Sequence, residues 1–333
     1  MDLLTHALVG AAAGAATRRG TGMRHAALAG AAAALLVDLD YFIGSANDPL
    51  LQIEFHRHFS HSLVFIPLGA LLATVLLWPL LGRRLGGRSL YLATLAGYAT
   101  HWVIDICTSY GVHLFWPFAE TRVALDLLSV VDPVFTLLVG TPVAVALWRQ
   151  QRAILLATAI LGALYVGFAA WQQQQAENLA EALAATRGHA AESLLLRPSF
   201  GNTLLWRSVY RHGDRWYLDA VRPGLLAEAQ TYTGGSVPAF DRARDLADVP
   251  EDSRIGQDID RLDRLSDGYL VWVSSANRMG DIRFSAVPDG VSPMWGLEFD
   301  PGAPDEAPTW FIDRDLTPAM RERFLDQLLG RPR

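Results

Sequence analysis

Residues Ser62–Leu81 read SLVFIPLGALLATVLLWPLL, twenty positions without a charge. At about 1.5 Å per residue a helix of this length spans about 30 Å, the thickness of a bilayer's hydrocarbon. Ala153–Trp171 is a second charge-free stretch, and Pro133–Trp148 a third, slightly short one. Leu90–Ile106 is apolar but holds His101 and Asp105. Met23–Val37 is Ala-rich and runs into Asp38. Leu3–Thr17 is the weakest stretch; its Gly10 and Gly14 have the GxxxG spacing that suits close helix packing. Asp2 stands where a cleavable signal peptide would carry basic residues. The expectation is six helices.

Composition agrees with a chain divided in two. Of 333 residues, 51% are hydrophobic and 19% charged, too apolar for an ordinary soluble enzyme unless the apolar residues are concentrated. Residues 1–171 carry a net charge of +1 and residues 172–333 a net −7, which together give the −6 of the whole. The break falls at Trp171, where the polar run Gln172–Gln175 begins and the chain is expected to leave the membrane. The reading is therefore a transmembrane helical domain over 1–171 and an α+β soluble domain over 176–333. The acidic balance gives no support to nucleic-acid binding. A single cysteine, Cys107, excludes an internal disulfide framework.

All 28 basic residues are Arg, and their positions orient the helices. Arg18, Arg19, Arg24, Arg83, Arg84, Arg88, Arg149 and Arg152 fall in alternate loops, while the opposite loops hold only Arg57 and Arg122. The positive-inside rule then places the N-terminus and the domain after the sixth helix outside the cytoplasm. The expected location is a cell's inner (plasma) membrane, crossed several times, with an extracytoplasmic C-terminal domain.

That orientation brings the polar residues of the apolar half to one face. Asp2, His6, Asp38, Asp40, His56, His61, His101, Asp105 and Asp132 all fall at outer helix ends or in outer loops. Ionisable groups at such positions are costly and tend to be functional. Imidazole nitrogen and carboxylate oxygen are ligands for Zn²⁺ and similar ions. His101 and Asp105, four residues apart, share a helix face. Asp38-x-Asp40 suits bridging two ions, or holding one and orienting a histidine. Arg57 has the charge to neutralise a phosphate-like group. Each piece has a plain alternative: a core histidine, a helix cap at Asp2 or Asp132, a turn at Asp38–Asp40. Convergence on one face favours a metal site. His113 lies near it, and His25 falls on the inner side, outside the cluster.

The motifs Asp2-Leu-Leu-Thr5-His6 with Gly10, Asp38-Leu-Asp40, His56-Arg57 with His61-Ser62, and Gly97-Tyr-Ala-Thr-His101 with Asp105, Thr108, Gly111 and Pro117 resemble the YdjM-type family of inner-membrane proteins. The likeness covers about the first 140 residues, and Asn202–Val209 and Asp281–Phe284 are similar to longer members. Membership implies a metal-dependent hydrolase with His6, Asp38, Asp40, His56, His61, His101 and Asp105 as ligands. His58 falls at a variable position of the motif and is not implied. Val37 stands where many members have Pro.

Beyond residue 176, strands are expected at Leu204–Tyr210 and Arg215–Ala220 around the turn His212–Asp214, and at Tyr269–Ser274 and Asp281–Val287 around Asn277–Gly280. Trp295–Phe299 and Thr309–Ile312 add strands. A terminal helix over Thr317–Leu329 is capped by Thr317, with Pro318 at its first position. No GxSxG, P-loop or GxGxxG is present.

The expected activity is hydrolysis of an ester or phosphoester, by water activated on one or two divalent ions, with zinc the expected metal and Asp38 and Arg57 in catalytic roles. A site at the membrane surface suits a lipid or lipid-linked substrate. The rival readings are a metal transporter or sensor using the same ligands, and a membrane scaffold whose outer domain binds a partner. A transporter needs polar residues through to the inner face, and the third, fifth and sixth helices nearly lack them.

Overall fold

A computed structural model describes residues 1–333 other than Ala46, Leu226 and Arg333. The chain forms α1 (Leu3–Ala16), α2 (Gly22–Leu36), a 3-10 segment (Val37–Phe42), α3 (Leu51–Phe55), a 3-10 turn (Phe59–His61), α4 (Ile66–Leu85), α5 (Gly87–Asp105), α6 (Pro133–Arg149) and α7 (Leu155–Thr186). Strands β1 (Glu192–Pro198), β2 (Trp206–His212), β3 (Arg215–Arg222) and β4 (Gln230–Pro238) follow. Then come α8 (Arg242–Asp245), α9 (Arg254–Leu265), β5 (Leu270–Val273), β6 (Arg278–Asp281), β7 (Trp295–Glu298), β8 (Thr309–Ile312) and α10 (Pro318–Leu329). Two compact units result. One is Met1–Ile43, Phe55–Trp171 and Phe200–Thr203; the other is Gly44–Glu54, Gln172–Ser199 and Leu204–Arg333.

The helices expected from the sequence appear as α1, α2, α4, α5, α6 and α7, with shifted ends. Among the described residues, three runs are long and apolar enough to cross a membrane: Gly22–Phe42, Ile66–Leu85 and Arg152–Thr186. Leu3–Ala16 and Pro133–Arg149 are shorter apolar helices. The stretch that opens at Ser62 becomes helical only at Ile66, because Ser62 is extended and Pro67 sits in the first turn. It continues to Leu85, since Arg83 and Arg84 in the last turn complement the helix dipole. The helix expected to end near Trp171 runs on to Thr186. Glutamine is a good helix former, so the run Gln172–Gln175 changes the helix's polarity and leaves its backbone intact.

Small residues bring α1, α2 and α5 into backbone contact. A Cβ on Gly14 would lie 2.3 Å from the Ala26 carbonyl oxygen, and one on Gly97 would lie 2.2 Å from that of Gly30. No residue larger than glycine fits either contact, the packing expected of GxxxG-type helices. Ala11, Ala12, Ala15, Met23, Ala27, Val143 and Ala146 fill the adjoining core from α1, α2 and α6. At the other end of these helices the arginines meet. Arg24 Nε donates to the Leu147 carbonyl at 3.0 Å, and Arg84 lies 2.7 Å from His25 Nε2.

The second unit holds two four-stranded antiparallel sheets, β1-β2-β3-β4 and β5-β6-β7-β8. The hairpin β2–β3 pairs His212 with Arg215 across the expected turn. The strand expected at Asp281–Val287 lies earlier in the chain. Asn277 takes a left-handed conformation with φ 51°, which closes the turn so that Val273 pairs directly with Arg278. The chain therefore returns over Arg278–Asp281, and Asp281 turns it at Phe284 through a backbone bond of 3.2 Å. Leu50, Ile255, Ile259, Leu262, Met279 and Leu297 form the core against β5–β7. Leu50 comes from Gly44–Glu54, a segment between α2 and α4 that packs in this unit. Arg261 anchors it with ion pairs to Asp48 at 3.0 Å and Glu54 at 2.7 Å. Thr317 caps α10 by accepting from Met320 N–H.

Candidate metal centre

The site is built on the ends of α1, α2 and α5 opposite the arginines, and on the turn before α4. His6 lies one turn into α1, and Asp38 and Asp40 follow α2 in its 3-10 extension. His101 and Asp105 occupy the last turn of α5, and His61 ends the turn Phe59–His61. His6, Asp40, His61, His101 and Asp105 are all buried.

One ligand atom each from Asp38, His61, His101 and Asp105 lie within 4.8 Å of one another. His101 Nδ1 donates to the Ala34 carbonyl at 2.8 Å. A carbonyl only accepts, so the proton is on Nδ1 and the Nε2 lone pair faces the site. Nε2 lies 3.4 Å from Asp38 Oδ1 and 3.4 Å from Asp105 Oδ2. His61 is set the same way. Ser60 Oγ donates to Asp40 Oδ2 at 2.5 Å, and His61 Nδ1 donates back to Ser60 Oγ at 2.9 Å. Its Nε2 then faces Asp105 Oδ2 at 3.4 Å and Asp38 Oδ1 at 3.7 Å. His61 Nε2, His101 Nε2 and Asp105 Oδ2 are buried with no hydrogen-bond partner. Three orphaned acceptors at one point cost desolvation that a cation would offset. Burial alone lowers the pKa of His61, but the carboxylates of Asp105, Asp38 and Asp40 raise it to about 10. Positive charge is thus favoured where these groups meet. The donor set, two imidazoles and two carboxylates, fits a divalent transition metal such as zinc.

The remaining residues support these four or extend them. Asp40 accepts from His56 Nδ1 at 2.9 Å and from Arg57 N–H at 3.0 Å besides Ser60. Asp38, Asp40 and His56 form a second candidate group that shares Asp38 with the first. His6 stacks on His101 with ring centroids 3.6 Å apart, and its Nε2 lies 3.2 Å from Asp105 Oδ1. It stands outside the four-residue group. Arg57 is buried, with Nη2 3.2 Å from Asp105 Oδ1 and Nη1 donating to Thr108 Oγ1 at 2.9 Å. Two of its guanidinium nitrogens are thus engaged by Asp105 and Thr108, and Nε is buried without a hydrogen-bond partner. Asp2 and Asp132 cap α1 and α6. Tyr98, which the motif Gly97-Tyr-Ala-Thr-His101 contains without assigning it a role, donates to the Ser60 carbonyl at 2.9 Å and so ties the His61 turn to α5. Its position three residues before His101, on the same helix face, was the available signal.

The family model described as YdjM inner membrane protein matches residues 1–176. The chain is also similar to the uncharacterized protein YfhP of Bacillus subtilis (strain 168). The two are 23% identical over 248 residues, which cover 72% of this chain and 74% of that one. No solved structure matches the chain.

Proposed function

This chain belongs to the YdjM family of inner membrane proteins, and on that footing we propose that it is a membrane-bound, metal-dependent hydrolase. The convergence of His61 Nε2, His101 Nε2 and Asp105 Oδ2 as buried, unpartnered acceptors beside Asp38 carries the reading. These four residues would hold one divalent ion. Asp38, Asp40 and His56 offer a place for a second. Such an ion supplies Lewis acidity and brings the pKa of water toward neutrality. Asp40 orients His61 and His56. Arg57 and His6 fix Asp105. Asp38, the most exposed of the four, would accept the proton that an attacking water gives up as it cleaves an ester or phosphoester.

The substrate we infer is a lipid or lipid-linked molecule. Leu39, Tyr41 and Phe42, which interleave and follow the two aspartates, are exposed, as are Phe115 and Phe118 in the loop after α5. Large exposed apolar side chains beside a polar centre suit an amphiphile whose scissile bond lies near its headgroup. The convergence of Arg24, Arg84 and the α6 end on the opposite side supports a multi-pass arrangement with the metal centre outside the cytoplasm.

The test is hydrolysis of phospholipids, glycolipids and simple esters by purified protein in detergent, with and without chelator. Turnover that chelator abolishes and added metal restores is the expected result. The absence of metal-dependent turnover on all three classes would refute the activity.

A further inference from the structure

A second cluster of ligand-type side chains lies outside the set just described. His58, His113 and Glu120 each place one donor atom within 4.8 Å of the other two. The His58 and His113 rings are 4.7 Å apart, and His58 Nε2 lies 3.7 Å from Glu120 Oε2. The backbone explains how one turn serves two places. Arg57 is left-handed, with φ 64°, so the chain reverses between its neighbours. His56 then faces Asp40 while His58 faces His113. A bond from His113 N–H to the Arg57 carbonyl, 3.1 Å, holds the two loops in that register. The non-glycine residue at positive φ is costly and is retained where surrounding contacts demand it.

Packing alone accounts for part of this arrangement, since His58 also lies 5.7 Å from the Trp116 ring. It leaves His58 Nδ1 and His113 Nδ1 buried without a partner. Two imidazoles, each with an unpartnered Nδ1, beside an exposed carboxylate are the donor set of open His₂Glu metal sites.

We propose that His58, His113 and Glu120 bind a divalent transition-metal ion, separately from the Asp38–Asp105 centre. Because Glu120 is exposed, the site is accessible and exchangeable, with positions left for water or a substrate anion. It draws on none of the four residues of the central group, so it stands whether or not that centre is hydrolytic.

The test is titration of full-length, chelator-treated protein in detergent with Co²⁺, followed by visible absorption. Wild type should show a weak binding step beside the tight one. H58A/H113A should lose the weak step and keep the tight one. E120Q, altered at an exposed position, should weaken that step by roughly tenfold or more. Unchanged Co²⁺ number and affinity in E120Q would overturn the proposal, as would an unchanged weak step in H58A/H113A. Loss of the tight step in H61A/H101A, with the weak step retained, separates the two centres.

Discussion

His101 hydrogen-bonds the backbone of α2 across the helix interface, Nδ1 to the Ala34 carbonyl at 2.8 Å, and that bond aims Nε2 at Asp38 and Asp105. The bond exists because α2 and α5 approach to backbone contact at Gly30 and Gly97. Helix packing and ligand orientation are thus one feature of the fold.

Enlarging that contact should damage both. In Gly97→Ala the added Cβ would fall 2.2 Å from the Gly30 carbonyl oxygen, with backbone on both sides and nothing flexible to yield. The helices must separate and His101 must lose Ala34. Overpacking of this kind costs about 1–3 kcal/mol or more. Thermal unfolding should shift down and bound metal should fall together. Gly167→Ala, with nothing within 4 Å of its Cβ, should leave both unchanged.

Asp40→Asn should weaken metal binding without abolishing it. The carboxylate accepts from His56, Arg57 and Ser60, and through Ser60 it holds the His61 tautomer. An amide supplies one acceptor oxygen in place of two. Loss of such an orienting partner lowers metal affinity by about 10- to 100-fold. Competition with a chromophoric chelator reads the change; affinity equal to wild type would mean that Asp40 does not orient the ligands.

The second unit carries a test that spares the centre. Asp219 is buried and receives both Arg187 Nη1 at 2.6 Å and Nη2 at 2.7 Å, along with Gly234 N–H at 3.0 Å. Asp219→Ala removes the partner of Arg187 Nη2 and Gly234 N–H and leaves Arg187 Nη1 only Tyr210 Oη at 2.9 Å, and breaking a buried pair costs about 3–5 kcal/mol. Because Arg187 is partly exposed, the lower end is expected. Proteolysis should cut the β-sheet unit more readily while metal content stays at the wild-type level.

Membrane orientation is open to labelling. Cys107 is buried, so an introduced cysteine is the reporter. In Glu306→Cys, on the second unit, a membrane-impermeant maleimide should react in intact cells or spheroplasts. In Arg84→Cys, at the Arg-bearing end of α4, it should react only after permeabilisation. The reverse pattern would invert the topology.

The helices were legible because a bilayer-length apolar run leaves few alternatives, and Ser62–Leu81 is such a run. Their ends were less so. Ser62 yields to an extended cap and the Gln172–Gln175 run stays helical, both decided by local backbone preference rather than hydropathy. The hairpin at Asn277 differs from the expected one because a positive-φ asparagine makes the turn shorter than its flanking residues suggest. At the centre, residue type and helix spacing pointed to His101 and Asp105. The sequence had no means of showing that Arg57 pairs with Asp105, that His6 stacks on His101, or that Tyr98 holds the His61 turn. Those are facts of packing between segments distant along the chain.

The most direct measurement is anomalous X-ray diffraction, at the zinc edge, from crystals of the full-length protein grown with Zn²⁺. An anomalous peak between His61 Nε2, His101 Nε2 and the carboxylates of Asp38 and Asp105, absent in H61A/H101A, is the result expected. Zinc-replete crystals with no peak at that point, or a peak that persists in H61A/H101A, would contradict the assignment of these residues as a metal centre.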